Sequence, residues 1–297
     1  MKIKKEPLYI FMHMPKTGNT TILNNIKSNF DKNKFIDSYS PLIRQQLKSM
    51  SKEQKNEIRL IIGHTAYYGI HKFFPDREPR YIIFLRKPVK RTLSHYNFQR
   101  MWFAQKRNRF EGMLLQGNKV LDFKNWFLKN PVFQNFMCKF LFVHFFEKDL
   151  RIRNVSFDRK KFNDVKRILN KFYFIGLTEN PEDFLFIYSL LGVERFFPNQ
   201  NISKKYFIPK NYKDNKEFIL NKCQYDKELY EYARELNAKF KSEHKNFNII
   251  TYYIGIKRFF TCEYCALMKR LYYISAKLRR KSKGYSKVLD FVKKNGK

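Results

Sequence analysis

The segment LYIFMHMPKTGNTT, residues 8–21, constrains the fold more than any other part of the chain. Leu8 to Met12 reads as a buried strand that Pro15 closes, and a polar loop with Gly18 follows. Ile22, Leu23 and Ile26 then recur at helical spacing, with Thr20 or Thr21 as the expected N-cap. A strand that passes through such a loop into a helix aims backbone N–H groups and the positive end of the helix dipole at one point, which suits a phosphate or sulfate. Lys16 adds a mobile cation, Gly18 permits close backbone approach, and Thr17, Thr20 and Thr21 add hydroxyls around Asn19. The G-x-x-x-x-G-K-[ST] spacing of a nucleotide-binding P-loop is absent. An ordinary strand-to-helix turn uses the same residue types, so the loop alone leaves both readings open.

Further apolar runs give the segment its context. Lys34–Ser38, Ile58–Gly63, Tyr81–Leu85 and Phe172–Gly176 read as short strands. They alternate with helical patterns, among them a polar helix from about Pro41 to Glu57 and another from Asp214 to His244. Short apolar strands alternating with helices predict βαβ units, a parallel sheet, and ligands at the carboxyl ends of the strands. The 297 residues, 43% hydrophobic and 18% aromatic, suffice for one large α/β domain. That domain is expected over residues 1–250, with an aromatic-rich helical insertion over the site at about 103–160. Residues 251–297 are expected to form a basic helical extension; from Ile256 onward, 13 Lys or Arg face two acids.

The formal charge of +35, from 61 Lys and Arg against 26 Asp and Glu, favours an anionic partner: nucleotide, nucleic acid, anionic polysaccharide or membrane surface. A compositional bias towards Lys, Asn, Ile and Phe accounts for the excess equally well. No apolar stretch near Met1 reads as a signal peptide and no run of about 18 apolar residues occurs, so the expectation is a cytoplasmic protein with reduced thiols. Cys262-Glu-Tyr-Cys265 is a lone C-x-x-C without a second pair at zinc spacing, and no metal is expected.

A second strand-to-helix junction changes the weight of the first. Tyr81–Leu85 runs into Arg86-Lys87-Pro88, Pro88 opens a helix near its first position, and Ser94 follows two turns beyond Arg86. Residues 13–21, HMPKTGNTT, resemble the 5′-phosphosulfate loop of the sulfotransferase superfamily, and residues 81–96, YIIFLRKPVKRTLSHY, resemble its 3′-phosphate motif. The resemblance is to the glycan-modifying branch that includes the heparan sulfate and uronyl 2-O-sulfotransferases. Lys87 and Lys90 stand where that branch has acidic residues. Weaker echoes are Gly63-His64, the segment Asn135–Leu141, residues 174–179 (FIGLTE), and Tyr225–Ala233, so the likeness runs from about residue 8 to 245.

The resemblance implies a three-layer, P-loop-NTPase-like sulfotransferase fold: α/β, with a central parallel sheet and helical additions. It implies an enzyme that moves a sulfuryl group from PAPS (3′-phosphoadenosine 5′-phosphosulfate) to a carbohydrate hydroxyl, leaving 3′,5′-ADP. The donor site would comprise Lys16, Thr17, Gly18, Asn19, Thr20, Thr21, Arg86 and Ser94, with Lys16 also catalytic and His64 as the base. His suits that role because its ordinary pKa is about 6.5. His13 reads as structural and His95 as facing elsewhere; His71 and His144 are weaker candidates, and Glu179 reads as a structural partner before a base. Tyr67, Tyr68 or Trp102, if exposed, would offer a stacking surface for a sugar. The acceptor's identity stays open, an anionic polysaccharide being the choice that charge favours. The rival readings are a nucleotide kinase and a basic nucleic-acid-binding protein. The first lacks an apolar strand ending in Asp to hold Mg²⁺, and the second lacks a recognition motif.

Overall fold

A computed structural model of the chain describes residues 6–105, 110–147, 149–150, 152, 155–194, 196, 212–244 and 246–258. Its centre is a five-stranded parallel sheet of β1 (Leu8–Met12), β2 (Phe35–Asp37), β3 (Leu60–Gly63), β4 (Pro79–Leu85) and β7 (Phe174–Leu177). The spatial order is β2-β3-β1-β4-β7, so β1 lies centrally, with Met12 paired to Gly63 on one side and Ile83 on the other. The chain leaves β1 in one direction and later crosses it to β4. This reversal puts the end of β1 at the switch point where open α/β sheets bind ligands. A small hairpin, β5 (Leu115–Gln116) and β6 (Lys119–Val120), stands apart from the sheet.

The sheet is buried on both faces, and the period-two alternation of its strands sorts residues into two cores. Leu8, Ile10, Ile61, Ile83 and Leu85 belong to one; Phe11, Ile62, Ile82, Phe84 and Phe174 to the other. The first core is covered by α4 (Pro88–Ala104), α6 (Phe123–Lys129), α7 (Phe136–Phe146), α8 (Arg159–Leu169) and α11 (Gln224–Glu243). The second is covered by α1 (Asn19–Lys27), α9 (Pro181–Leu190) and a helix at 247–258, here α12. The three-layer α/β architecture is therefore present. Further helices among the described residues are α2 (Ile43–Ser49), α3 (Lys52–Glu57), α5 (Glu111–Leu114) and α10 (Tyr212–Lys222). In α8 the buried Phe162, Val165, Ile168 and Leu169 recur every three or four residues, and Asp158 caps the first turn by accepting from the Lys161 N–H at 2.8 Å.

Several expectations shift. The polar helix of 41–57 is two helices, because Ser51 starts a new one through a capping box: its Oγ accepts from the Gln54 N–H, and the Gln54 side chain accepts from the Ser51 N–H. The helix over 214–244 is likewise broken at buried Cys223. Trp126, Phe127, Phe133 and Leu141 share a core with the sheet, so the segment around 103–160 is built into the domain. The boundary expected at 250 falls inside α12, whose Phe247 and Ile254 pack in the second core. Residues 259–297, with Cys262 and Cys265 and most of the basic extension, lie outside the described residues.

Gly63 ends β3 at φ 153°, and a Cβ there would stand 2.0 Å from the Ser38 carbonyl oxygen. The β2–β3 pair cannot close with any other residue at this point. Gly63→Ala is expected to lower unfolding free energy by about 2 kcal/mol or more in urea titrations. Gly112→Ala, where a Cβ meets nothing within 4 Å, serves as the control. Equal stability of the two variants would contradict this account.

Candidate active site

The loop after β1 is braced from below. Arg86, at the end of β4, donates Nη1–H to the Lys16 carbonyl at 3.1 Å, and the Thr178 hydroxyl, after β7, donates to the Thr17 carbonyl at 2.9 Å. A trans peptide points its C=O and N–H in opposite directions, so these two bonds turn the Thr17 and Gly18 N–H groups the other way. Lys16 (φ 71°) and Gly18 (φ 77°) are both left-handed, a conformation that costs a non-glycine residue about 1 kcal/mol and here shapes the turn. Gly18 itself is the N-cap of α1, with no side-chain cap, so Asn19, Thr20 and Thr21 form the first helical turn and neither threonine caps it. Thr17 is fully buried and its hydroxyl donates to the Met14 carbonyl at 2.8 Å, so this residue presents its N–H to the loop's outer side.

Three cations converge beside the loop. Burial, with Arg86 and Arg91 close by, pushes the Lys16 ammonium down to about 8. Its Nζ lies 4.3 Å from the centre of the Phe98 ring. Burial also lowers Arg86, against a pull from Glu179, and brings Arg91 down to about 10 against a pull from Asp226. Arg86 Nε and Arg91 Nε and Nη1 are buried without a hydrogen-bond partner among the described residues. Buried donors of this kind are rare, and they fit a site that receives an anion. Ser94 is half-buried on α4, on the same helix as Arg91.

Nearby acids are otherwise engaged. Glu179 accepts from the Lys87 N–H and from the Tyr230 hydroxyl at 2.8 Å, tying the start of α4 to α11. Buried Asp226 accepts from the Met137 and Cys138 N–H groups at 3.1 and 2.9 Å and so caps α7, while Asn135 Oδ1 accepts from the Asp226 N–H. Asn135–Leu141 and Tyr225–Ala233, noted separately in the sequence, thus clamp one another.

His64 lies on the other side of β1. Its Nδ1 is 2.7 Å from the His13 carbonyl oxygen, which can only accept; the proton is therefore on Nδ1, and Nε2 carries the lone pair. Burial lowers its pKa below the usual 6.5, opposed by that hydrogen bond. The His13 ring stacks on His64 at 4.0 Å, the Tyr39 ring meets His64 edge-on at 4.8 Å, and the Tyr39 hydroxyl is 2.7 Å from His13 Nδ1. His144 brings Nε2 to 2.8 Å from the His64 carbonyl. Neither Tyr39 nor the His144 contact carries a signal in the sequence, since both are long-range.

Other placements depart from expectation. His95 does not face elsewhere: its Nδ1 is 3.4 Å from Arg91 Nη2, its ring is 4.6 Å from Phe133, and burial together with Arg91 and Lys16 holds it well below the ordinary histidine range. A guanidinium only donates, so Nδ1 accepts and Nε2 bears the proton. His71 instead places Nδ1 2.8 Å from the Tyr81 hydroxyl. Tyr67 is buried, with the Arg44 guanidinium 4.3 Å from its ring centre, so it offers no sugar-stacking face; Tyr68 and Trp102 are half-buried.

The comparisons with known proteins agree with this geometry. A profile of the sulfotransferase domain matches residues 8–227. Heparan sulfate 2-O-sulfotransferase 1 of Homo sapiens is 21% identical over 215 residues, 65% of this chain and 57% of that protein. Heparin sulfate O-sulfotransferase of Drosophila melanogaster is 25% identical over 197 residues, 59% of this chain and 53% of its own length. Uronyl 2-sulfotransferase of Mus musculus is 24% identical over 200 residues, 59% of this chain and 47% of its own length. The chain thus spans about half the length of the curated relatives it matches. With 220 consecutive residues inside the family profile, and the β1 loop and the Arg86 junction meeting at the carboxyl edge of a parallel sheet, the chain belongs to the sulfotransferase domain family.

Proposed function

We propose that the protein transfers a sulfuryl group from PAPS to a hydroxyl of a carbohydrate, with an anionic polysaccharide as the acceptor class that its charge favours. The observation that carries this reading is the junction of Lys16 and Arg86: a left-handed loop with its N–H groups turned outward, beside buried cations with unpartnered donors. The Thr17 and Gly18 N–H groups, the first turn of α1 and Lys16 would hold the 5′-phosphosulfate. Arg86 and Ser94 would hold the 3′-phosphate, Arg86 through charge-assisted bonds.

Transfer of a sulfuryl group is an in-line displacement in which positioning and charge stabilisation supply most of the acceleration. Lys16 would meet the negative charge that develops on the bridging oxygen as the bond to 3′,5′-ADP breaks. His64 Nε2 would take the acceptor's hydroxyl proton, since its tautomer leaves that lone pair available. Glu179 ties α4 to α11 and is left out of the chemistry.

Calorimetry tests the donor site. 3′,5′-ADP is expected to bind more tightly than 5′-ADP, and equal affinities would overturn the reading. Because Lys16 is held near 8 in the free protein, a bound anion raises its pKa; the sign is therefore proton uptake on binding near pH 8. Titrations in buffers of different ionisation enthalpy should reveal that uptake and lose it in Lys16→Ala. The same variant should transfer ³⁵S-labelled sulfate about 10²–10³-fold more slowly.

The pH profile of kcat/KM tests the acid–base assignment. His64 must be neutral and Lys16 protonated. The acid limb is expected below pH 6.5, because burial depresses His64, and the alkaline limb near pH 8. His64→Ala should slow transfer about 10²–10⁴-fold, erase the acid limb and leave 3′,5′-ADP affinity unchanged. Full activity in that variant would refute the base assignment.

A further inference from the structure

α12 buries one face and leaves the opposite one bare. Phe247, Thr251 and Ile254 point inward, and Phe247 and Ile254 lie in the second core. Ile249, Tyr252, Tyr253 and Ile256 recur at three- and four-residue spacing on the other side, with 69%, 73%, 66% and 40% of their surface exposed. These four account for almost half of the large exposed apolar side chains among the described residues, gathered within eight positions. Scattered apolar side chains need no explanation, but a contiguous stripe marks an interaction surface.

The chain that follows identifies the partner by charge. The described residues of α12 close on Lys257 and Arg258, and of residues 259–297, 11 are Lys or Arg and only two are acidic. Their cations alternate with apolar and aromatic clusters, as in Met268-Lys269-Arg270-Leu271-Tyr272-Tyr273-Ile274. Tyrosines are suited to the boundary between headgroups and acyl chains, where ring and hydroxyl meet different media. Clustered Lys and Arg are drawn to the negative potential of anionic lipids. Among the described residues no helix is long and apolar enough to cross a membrane. A nucleic acid or polysaccharide would use the cations but give the aliphatic Ile249 and Ile256 no apolar medium.

We infer that α12 and the basic segment after it seat the enzyme peripherally on an anionic bilayer surface, with Ile249, Tyr252, Tyr253 and Ile256 dipping into the interface. The inference goes beyond the transfer reaction and uses none of its residues. The full chain is mixed with phosphatidylcholine vesicles, with or without phosphatidylglycerol, and the sedimented fraction is measured across a salt series. Binding is expected only with phosphatidylglycerol and weakens as salt rises. The variant I249S/Y252S/Y253S/I256S is expected to partition about tenfold less while its melting temperature and 3′,5′-ADP affinity hold. The variant R279Q/R280Q/K281Q/K283Q should lose binding and most of the salt dependence. The inference is overturned if the wild type ignores anionic vesicles, if either variant binds them as well as wild type, or if the serine variant converts a dimer to a monomer in sedimentation velocity.

Discussion

Two carbonyl groups organise the loop after β1 and with it the candidate site. Arg86 holds that of Lys16 and Thr178 holds that of Thr17, so the loop after β1 is bonded to the ends of β4 and β7. Register then fixes the loop's geometry, because Met12 pairs with Ile83 and Leu85 with Leu177. A one-residue slip would exchange the buried faces of each strand as well as withdraw both braces, so hydrophobic burial itself guards the loop's position. The same edge places His64 after β3, on the far side of β1, and its proton is fixed by the carbonyl of His13, only three residues before Lys16. One short stretch of chain thus orients both the loop after β1 and the His64 ring.

Sequence reading recovers what is local. Apolar runs that stop at the Pro15 loop, Gly63-His64 and Arg86-Lys87-Pro88 give β1, β3 and β4, and the runs at 34–38 and 172–176 give β2 and β7, all within about two residues. The break at Ser51 was also written locally, as Ser followed three residues later by Gln, but helical periodicity across 41–57 masked it. What stays hidden depends on where distant side chains point. Tyr39 and Thr178 reach the site across 26 and 161 residues of sequence. His95 shows the limit of helical arithmetic: one position past Ser94, it reads in the sequence as facing elsewhere. Yet it lies one turn from Arg91 on the same face, and the packing of Phe133 and Phe136 against α4 makes that face part of the site.

Two histidines of the candidate site, His64 and His95, carry opposite polarity for a simple reason. A carbonyl partner forces the proton onto Nδ1 of His64, leaving Nε2 to accept; a guanidinium partner forces His95 the other way, leaving Nε2–H to donate. Burial and neighbouring cations keep both neutral. A base is therefore possible at one and a neutral donor beside Lys16 at the other, though the residue type is the same.

The overall charge of +35 permits two explanations, surface bias or selection for anions, but bias does not account for the buried cations at the site. Bias adds lysines where water solvates them at little cost. It does not bury Arg91 completely, leave two of its nitrogens without partners, and set it within reach of Arg86 and Lys16, because desolvating a charge costs several kcal/mol unless something opposes it. The nearby carboxylates offset the cluster only in part: Asp226, which caps α7, pulls on Arg91, and Glu179, bonded to the Lys87 N–H and the Tyr230 hydroxyl, pulls on Arg86. Under the proposed function, a 3′,5′-bisphosphate would supply further counter-charge here. The buried cations therefore need an account separate from the surface excess, and their mutual repulsion in the free protein, which lowers Lys16 and Arg91, would favour taking up an anion.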